Sequence, residues 1–280
     1  MDRPVGDLLR VEPGSGKVDL LSIDPRSTPG TDEDKAGAKA EVDDLGEHLA
    51  ALQEQLYAQG RSGDRRRVLI VLQGMDTSGK GGAGKHVAGL MNPAGLRITG
   101  FGKPTKQERE HDFLWRIEKA VPAAGLIGVF DRSHYEDVLI VRVHDLVPSE
   151  QWEARYDQIN AWEAGLVEQD VVLLKVMLHI SYEEQRKRLL ARLDDPTKHW
   201  KVNPGDIDER AHWTAYQTAY QVALERCSTE AAPWHVVPAD RKWYRNWALA
   251  HLLRETLEGM DLSWPTPELD FEGMPKALSG

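Results

Sequence analysis

Apolar positions along this chain follow two periods. Between residues 34 and 59, Val42, Leu45, Leu49, Leu52 and Leu56 recur at spacings of three and four, and Gly60 follows. That period predicts a helix with one apolar stripe, stopped by a glycine. The stripe suits either a partner chain or the protein's own core. From Val68 onward short unbroken apolar runs alternate with helical stretches. The runs are Val68–Gln73, Arg97–Phe101, Leu126–Phe130, Val171–Leu178 and Trp234–Val237. Unbroken runs of this length are expected of strands buried on both faces of a parallel sheet. The intervening stretches, at 81–91, 107–120, 150–169, 182–193, 208–226 and 241–257, read as helices. Alternation of this kind predicts a doubly wound α/β domain over residues 34–260, with its ligand at the carboxyl ends of the strands. Residues 1–33 hold Pro13-Gly14-Ser15-Gly16 and Asp24-Pro25-Arg26-Ser27-Thr28-Pro29-Gly30 and read as a flexible acidic arm. Residues 261–280 read as a C-terminal tail.

The first strand runs straight into Gly74-Met75-Asp76-Thr77-Ser78-Gly79-Lys80-Gly81-Gly82. Gly74 to Lys80 fits G-x-x-x-x-G-K, a loop whose backbone N–H groups cradle phosphate at a helix N-terminus. Lys80 is the residue expected to touch the transferring phosphates. The usual Ser or Thr that holds Mg²⁺ after the lysine is absent, because Gly81 stands there. Asp76 lies inside the loop instead. A carboxylate among phosphates makes sense if it holds a cation. The third strand ends in Asp131-Arg132, which offers a second carboxylate for the same metal and a guanidinium fork suited to phosphate. Asp131 reads alternatively as a helix N-cap.

Ser181 and Glu184 form a capping box that opens the helix carrying Arg188 and Arg192 four residues apart on one face. Pro196 ends it, and Lys198 and Lys201 follow. A charged helix and polar loop over about 182–205 are what a nucleotide lid needs; a solvated surface helix is the alternative. Lys85 lies about a turn and a half into the helix after the loop. It either reaches a more distant phosphate or is simply solvated. Lys103 and Lys106 follow the second strand and extend a positive groove, whereas Arg116 is ambiguous.

Charge refines this picture. The net charge is −10, but residues 1–50 hold 12 acids and 6 bases, and residues 255–280 hold 6 acids and 1 base. The middle is near neutral, so it can carry a local basic groove, while the chain as a whole is not a general nucleic-acid binder. One cysteine, Cys227, excludes an internal disulfide framework, and a reducing cytoplasm is the natural setting. No apolar run approaches the ~20 residues that cross a bilayer. Neither HExxH nor G-x-S-x-G occurs, and His134, His144 and His179 are scattered.

These residues together resemble the family-2 polyphosphate kinases. The resemblance rests on Gly74–Gly82, His111-Asp112-Phe113-Leu114-Trp115-Arg116, Asp131-Arg132-Ser133-His134-Tyr135-Glu136-Asp137-Val138-Leu139 and the stretch from Arg192 to Lys201, in order across roughly residues 40–258. It implies a P-loop fold like that of nucleoside monophosphate kinases, with an N-terminal helical extension and a lid. It implies reversible, in-line transfer of a terminal phosphoryl group between inorganic polyphosphate and a nucleotide, with Mg²⁺ or Mn²⁺, in a homodimer or homotetramer. Asp76, Lys80, Asp131, Arg132, Arg188 and Arg192 would do the chemistry, with Asp76 and Asp131 on the metal. Gly74, Gly79, Gly81, Gly82, Lys85, Lys103 and Lys106 would bind phosphates, and Arg116, Glu136, Lys198 and Lys201 the nucleotide. Ser133-His134-Tyr135-Glu136-Asp137 is similar to the subgroup accepting both AMP and ADP, other members having Trp and Asn at the positions of His134 and Glu136. Adenine or guanine remains open. Two alternatives share the fold, an ATP-dependent nucleoside monophosphate kinase and a non-catalytic nucleotide-binding switch; Asp76 and Gly81 count against both.

Overall fold

The computed structural model describes residues 3–14 and 16–266. Five strands, β1 (Arg67–Gln73), β2 (Leu96–Gly100), β3 (Ile127–Asp131), β4 (Val171–His179) and β5 (Trp234–Pro238), form one parallel sheet in the order β2-β3-β1-β4-β5. Val68 to Leu72 are fully buried, as expected of the central strand of a sheet covered on both faces. Ten helices accompany the sheet among the described residues: α1 (Val5–Leu9), α2 (Lys35–Arg61), α3 (Lys80–Gly89), α4 (Trp115–Glu118), α5 (Ile140–Val143), α6 (Ser149–Glu168), α7 (Tyr182–Leu193), α8 (Gly205–Ala211), α9 (Trp213–Cys227) and α10 (Lys242–Glu258). Connections leave β1 toward β2 and β3 on one side and reach β4 and β5 on the other. The switch point therefore lies at the carboxyl end of β1, where the glycine loop begins.

The apolar stripe of α2 packs on α10 within the same chain, with Val42, Leu49, Leu52 and Leu56 buried. Asp34 caps this helix by accepting from Ala36 and Gly37 N–H. Polar ties reinforce the contact, since Trp247 Nε1 donates to Glu41 at 2.6 Å.

Three expectations differ from the structure. Residues 3–14 and 16–33 form a packed strap and not a flexible arm. Val5, Leu9, Val11 and Leu20 are buried, the Glu255 carboxylate accepts from Val5 and Gly6 N–H at 2.8 Å each, and Val11 N–H donates to Trp234 O at 2.8 Å beside β5. Its anchors sit on separate short turns, so no period announces them. The stretch 107–120 is not one helix: a 3₁₀ turn (Glu108–Glu110) and the single-turn α4 flank His111-Asp112. Thr105 and Glu108 cap one another, and Asp112 accepts from Leu114 N–H, giving the backbone local partners that compete with a helix. The stretch 208–226 is broken at His212 into α8 and α9. Of the tail, residues 267–280 lie outside the described residues.

Candidate active site

β1 delivers the chain to Gly74, whose φ is +146°; a Cβ there would lie 2.6 Å from Leu178 O. At Gly79, φ is +104° and a Cβ would meet Arg245 Nη1 at 2.2 Å. Only glycine fits either position. The loop then turns into α3, whose N-terminal end has no side-chain cap and lines a cavity of about 420 Å³. Asp76, Lys80, Gly81, Asp131, Arg132 and Arg192 line this cavity, as do Gly79, Gly82 and Lys201.

Lys80 is 9% exposed, and its Nζ donates to Gly74 O at 2.6 Å and Met75 O at 3.3 Å. Burial pushes its pKa down, with Asp76 pulling the other way. Arg132, at the turn after β3 with φ +65°, pairs with Asp76 at 3.0 Å. A Cβ on Gly81 would lie 3.4 Å from Asp131 Oδ2, so the carboxylate of Asp131 faces the place where a loop hydroxyl would project. Two carboxylates, Asp76 and Asp131, thus share one cavity with two lysines and two arginines. That donor set fits a hard divalent cation completed by phosphate oxygens and water.

A second cavity of about 910 Å³ opens on the other side of Arg132, between the β2–α4 connection, α5 and α6. Its walls are mixed, with Phe113, Val141 and Leu146 beside Lys103, Arg116 and Glu136. Arg116 donates to Gly102 O at 2.8 Å, and its guanidinium lies 5.6 Å from the Phe101 ring centre. Burial raises Asp137 to about 6 despite Arg155 at 3.2 Å. Burial also raises Glu136 against the pull of Arg132 and Lys80. A third space of about 180 Å³, lined by Asp76, Lys80, Arg132, Glu136 and residues of α8 and α9, lies against both.

Several residues singled out from the sequence stand apart from these cavities. Arg188 is 8% exposed and sits behind the loop: it pairs with Glu184 at 2.8 Å and donates to the carbonyls of Thr77, Ser78, Ala239 and Asp240 at 2.6–3.1 Å. Its expected place over the phosphates is therefore corrected: the start of α7 packs against the loop and the β5–α10 connection, and their carbonyls hold Arg188 there. Arg192, one turn on, does reach the cavity and pairs with Asp206 at 3.3 Å. Lys201 lines the glycine-loop cavity and not the larger one, whereas Lys198 pairs with Asp195 at 2.6 Å. Lys85 and Lys106 are exposed and line none of the three spaces.

Sequence reasoning missed three groups. Tyr220 of α9 accepts from Gly74 N–H at 3.2 Å. Arg245 of α10 is buried against Gly79. Beneath the turn after Asp131, Lys175 bonds Glu163 (2.6 Å), Tyr135 Oη (2.9 Å) and Cys227 O (2.6 Å), while Glu163 also meets His134 at 3.1 Å and Tyr135 Oη at 2.8 Å. Burial would raise Glu163, but Lys175 and His134 hold it below the usual carboxylate range. A lysine inside the apolar run of β4 was the available signal.

The polyphosphate kinase 2 (PPK2) family profile matches residues 32–264. The chain is similar to the AMP/ADP-polyphosphate phosphotransferase of Meiothermus ruber, at 46% identity over 94% of this chain and 97% of that one. It is similar also to the ADP-polyphosphate phosphotransferase of Rhodopseudomonas palustris, at 41% identity over 78% of each. The crystal structure of polyphosphate kinase 2 from Arthrobacter aurescens superposes with a TM-score of 0.96, at 51% identity, covering 99% of this chain and 97% of that one. No helix among the described residues is long and apolar enough to cross a membrane. Loop, strand-end aspartate, sheet order and these matches agree: the chain is a phosphotransferase and belongs to the polyphosphate kinase 2 family.

Proposed function

We propose that this enzyme moves the terminal phosphoryl group of inorganic polyphosphate onto AMP and ADP, reversibly and with Mg²⁺. The observation that carries the reading is the junction at Arg132, which lines both the glycine-loop cavity and the larger mixed cavity. The donor chain would lie against the loop under Arg192 and Lys201. The acceptor would place its base among the apolar walls near Phe113 and Leu146, and its phosphate toward Arg132.

The acceptor oxygen of AMP or ADP is already ionised, so no general base is required. The physical obstacle is the meeting of two polyanions in line. Lys80, Arg132 and Arg192 stand where they would screen that charge, and the N–H groups of the glycine loop hold the donor phosphates without reorganising. Asp76 and Asp131 would hold Mg²⁺. When bound, the metal supplies charge neutralisation on the phosphoryl oxygens. Arg132, through its pairing with Asp76, keeps the two sides of the site in register. The outer part of the lid, 196–201, carries Trp200 at 79% exposure and would close over the donor, while the inner face of α7 stays packed. A homodimer or homotetramer in the cytoplasm completes the proposal.

The test is an acceptor panel. Purified protein is given long-chain polyphosphate, Mg²⁺ and AMP, ADP, GMP or GDP singly, and nucleotides are followed by chromatography. Conversion of both AMP and ADP supports the reading. Conversion of ADP alone removes the double-acceptor assignment, and conversion of none removes the proposal.

A further inference from the structure

Behind the glycine loop, on the side away from the cavity, lie two buried arginines with an exposed lysine at their edge. Arg245 is 4% exposed; its Nη1 donates to Gly79 O at 3.2 Å, and its Nε and Nη2 donate to Asn246 Oδ1 at 3.0 and 2.6 Å. No carboxylate among the described residues pairs with it. Burial, and then the charge of the neighbouring Arg188, push Arg245 down to about 10. Lys242, one turn earlier on α10, is also pushed down, by burial and then by these two arginines. Against these three cations stands Glu184, spent on Arg188, while the Asp240 carboxylate is spent on the N–H and hydroxyl of Ser181.

Two like charges held together out of water are costly unless an anion compensates them. The loop is only one backbone thick here. Gly79 and Gly82 touch Arg245 on one side and line the phosphate cavity on the other. Absence of a side chain at Gly79 is what admits the guanidinium. Fixed positive charge in a low-dielectric setting raises the local affinity for anions.

We propose that Arg245 is a positioning residue for the donor: beside the Gly79 carbonyl, which accepts the first helical bond of α3 from Ala83 N–H at 2.8 Å, it lends the phosphate side of the loop an uncompensated positive charge whose counterion is the bound phosphoryl chain. The inference rests on the reading that the loop holds the donor. It separates Arg245 from Arg188, whose charge is paired within the fold, and from Lys80 and Arg132, which touch the cavity directly.

The experiment measures binding of inorganic tripolyphosphate by calorimetry for the wild type, Arg245→Gln and Arg245→Lys. Glutamine keeps a donor for Gly79 O and gives up the charge; lysine keeps the charge and gives up the fork. Arg245→Gln is expected to weaken tripolyphosphate about 10-fold, or ~1.4 kcal/mol. Its unliganded thermal midpoint stays at or above that of the wild type, and its KM for AMP stays within about twofold. Arg245→Lys is expected to recover binding to within about threefold of the wild type. A purely structural role would lower the thermal midpoint and move both substrates together. Wild-type affinity in Arg245→Gln, or equal weakening in both variants, would overturn the proposal. Absence of tripolyphosphate binding by the wild type would sink the loop reading beneath it.

Discussion

Replacing Lys175 by methionine tests the buried cluster under the turn that carries Arg132 and Glu136. The ammonium makes three contacts at 2.6–2.9 Å, to Glu163, Tyr135 Oη and Cys227 O, and both ends of the ion pair are essentially inaccessible to water. Removing it leaves a carboxylate with His134 and Tyr135 as partners and no opposite charge. Breaking such a pair costs about 3–5 kcal/mol, a large share of the 5–15 kcal/mol that typically holds a domain together. The double variant Lys175→Met with Glu163→Gln removes both charges and is expected to lose less than either single one, within about 2 kcal/mol of the wild type. The deficit of Lys175→Met shrinks as pH falls toward 5. Burial then outweighs the remaining His134 hydrogen bond at Glu163, raises its pKa, and lets it take a proton in the fold before it does so in the unfolded chain. Urea unfolding at pH 8 and pH 5, read at constant m, measures each of these. His134 and Tyr135 sit in the 3₁₀ turn His134–Val138, so Lys175→Met also shifts the groups on either side of the cluster. A displacement near 1 Å at a reacting group costs roughly 10²-fold in kcat, and the double variant recovers most of it. A loss under about 1 kcal/mol in Lys175→Met, or a double variant that loses the sum of the two singles, would refute the reasoning.

Asp76→Asn keeps the fold and lowers kcat by roughly 10²–10³, as for the loss of one electrostatic element; near-normal turnover would take Asp76 off the metal. Gly79→Ala forces a Cβ to within 2.2 Å of Arg245 at φ +104° and is expected to cost about 1–3 kcal/mol of strain; a thermal midpoint equal to that of the wild type would contradict this. His235 is held neutral by burial, down to about 4. The unfolded chain binds its proton below the ordinary 6.5, so this stability is complete above pH 6.5 and is lost as pH falls toward 4, about 3 kcal/mol in all. The difference in unfolding free energy between the wild type and His235→Gln should narrow by that amount from pH 7 to pH 4.

Much of the fold was legible because its signals are local. The apolar run of β1 ends abruptly at Gly74, and Val42 to Leu56 keep a helical period over four turns. Asp131 closes an apolar strand, which places it on the same cavity as Asp76. What escaped the sequence depends on residues far apart. The strap before α2 is held by Glu255, Trp234 and Tyr244, over 200 positions away. Arg188 and Arg192 share a helix face, yet one turn of rise is enough to put one behind the loop and the other on the cavity. Arg245 carries no motif at all; its role appears only when α10 packs against α3. Within 107–120, competition from Thr105, Glu108 and Asp112 side chains overrode a helical composition.

The donor is the point on which the whole account turns. One preparation of the protein, with AMP and Mg²⁺, is supplied either with long-chain polyphosphate or with ATP as the sole donor, and initial rates of ADP formation are compared. The account predicts ADP and then ATP from polyphosphate, at a kcat/KM well above that with ATP. Transfer from ATP alone, with polyphosphate inert, would contradict it.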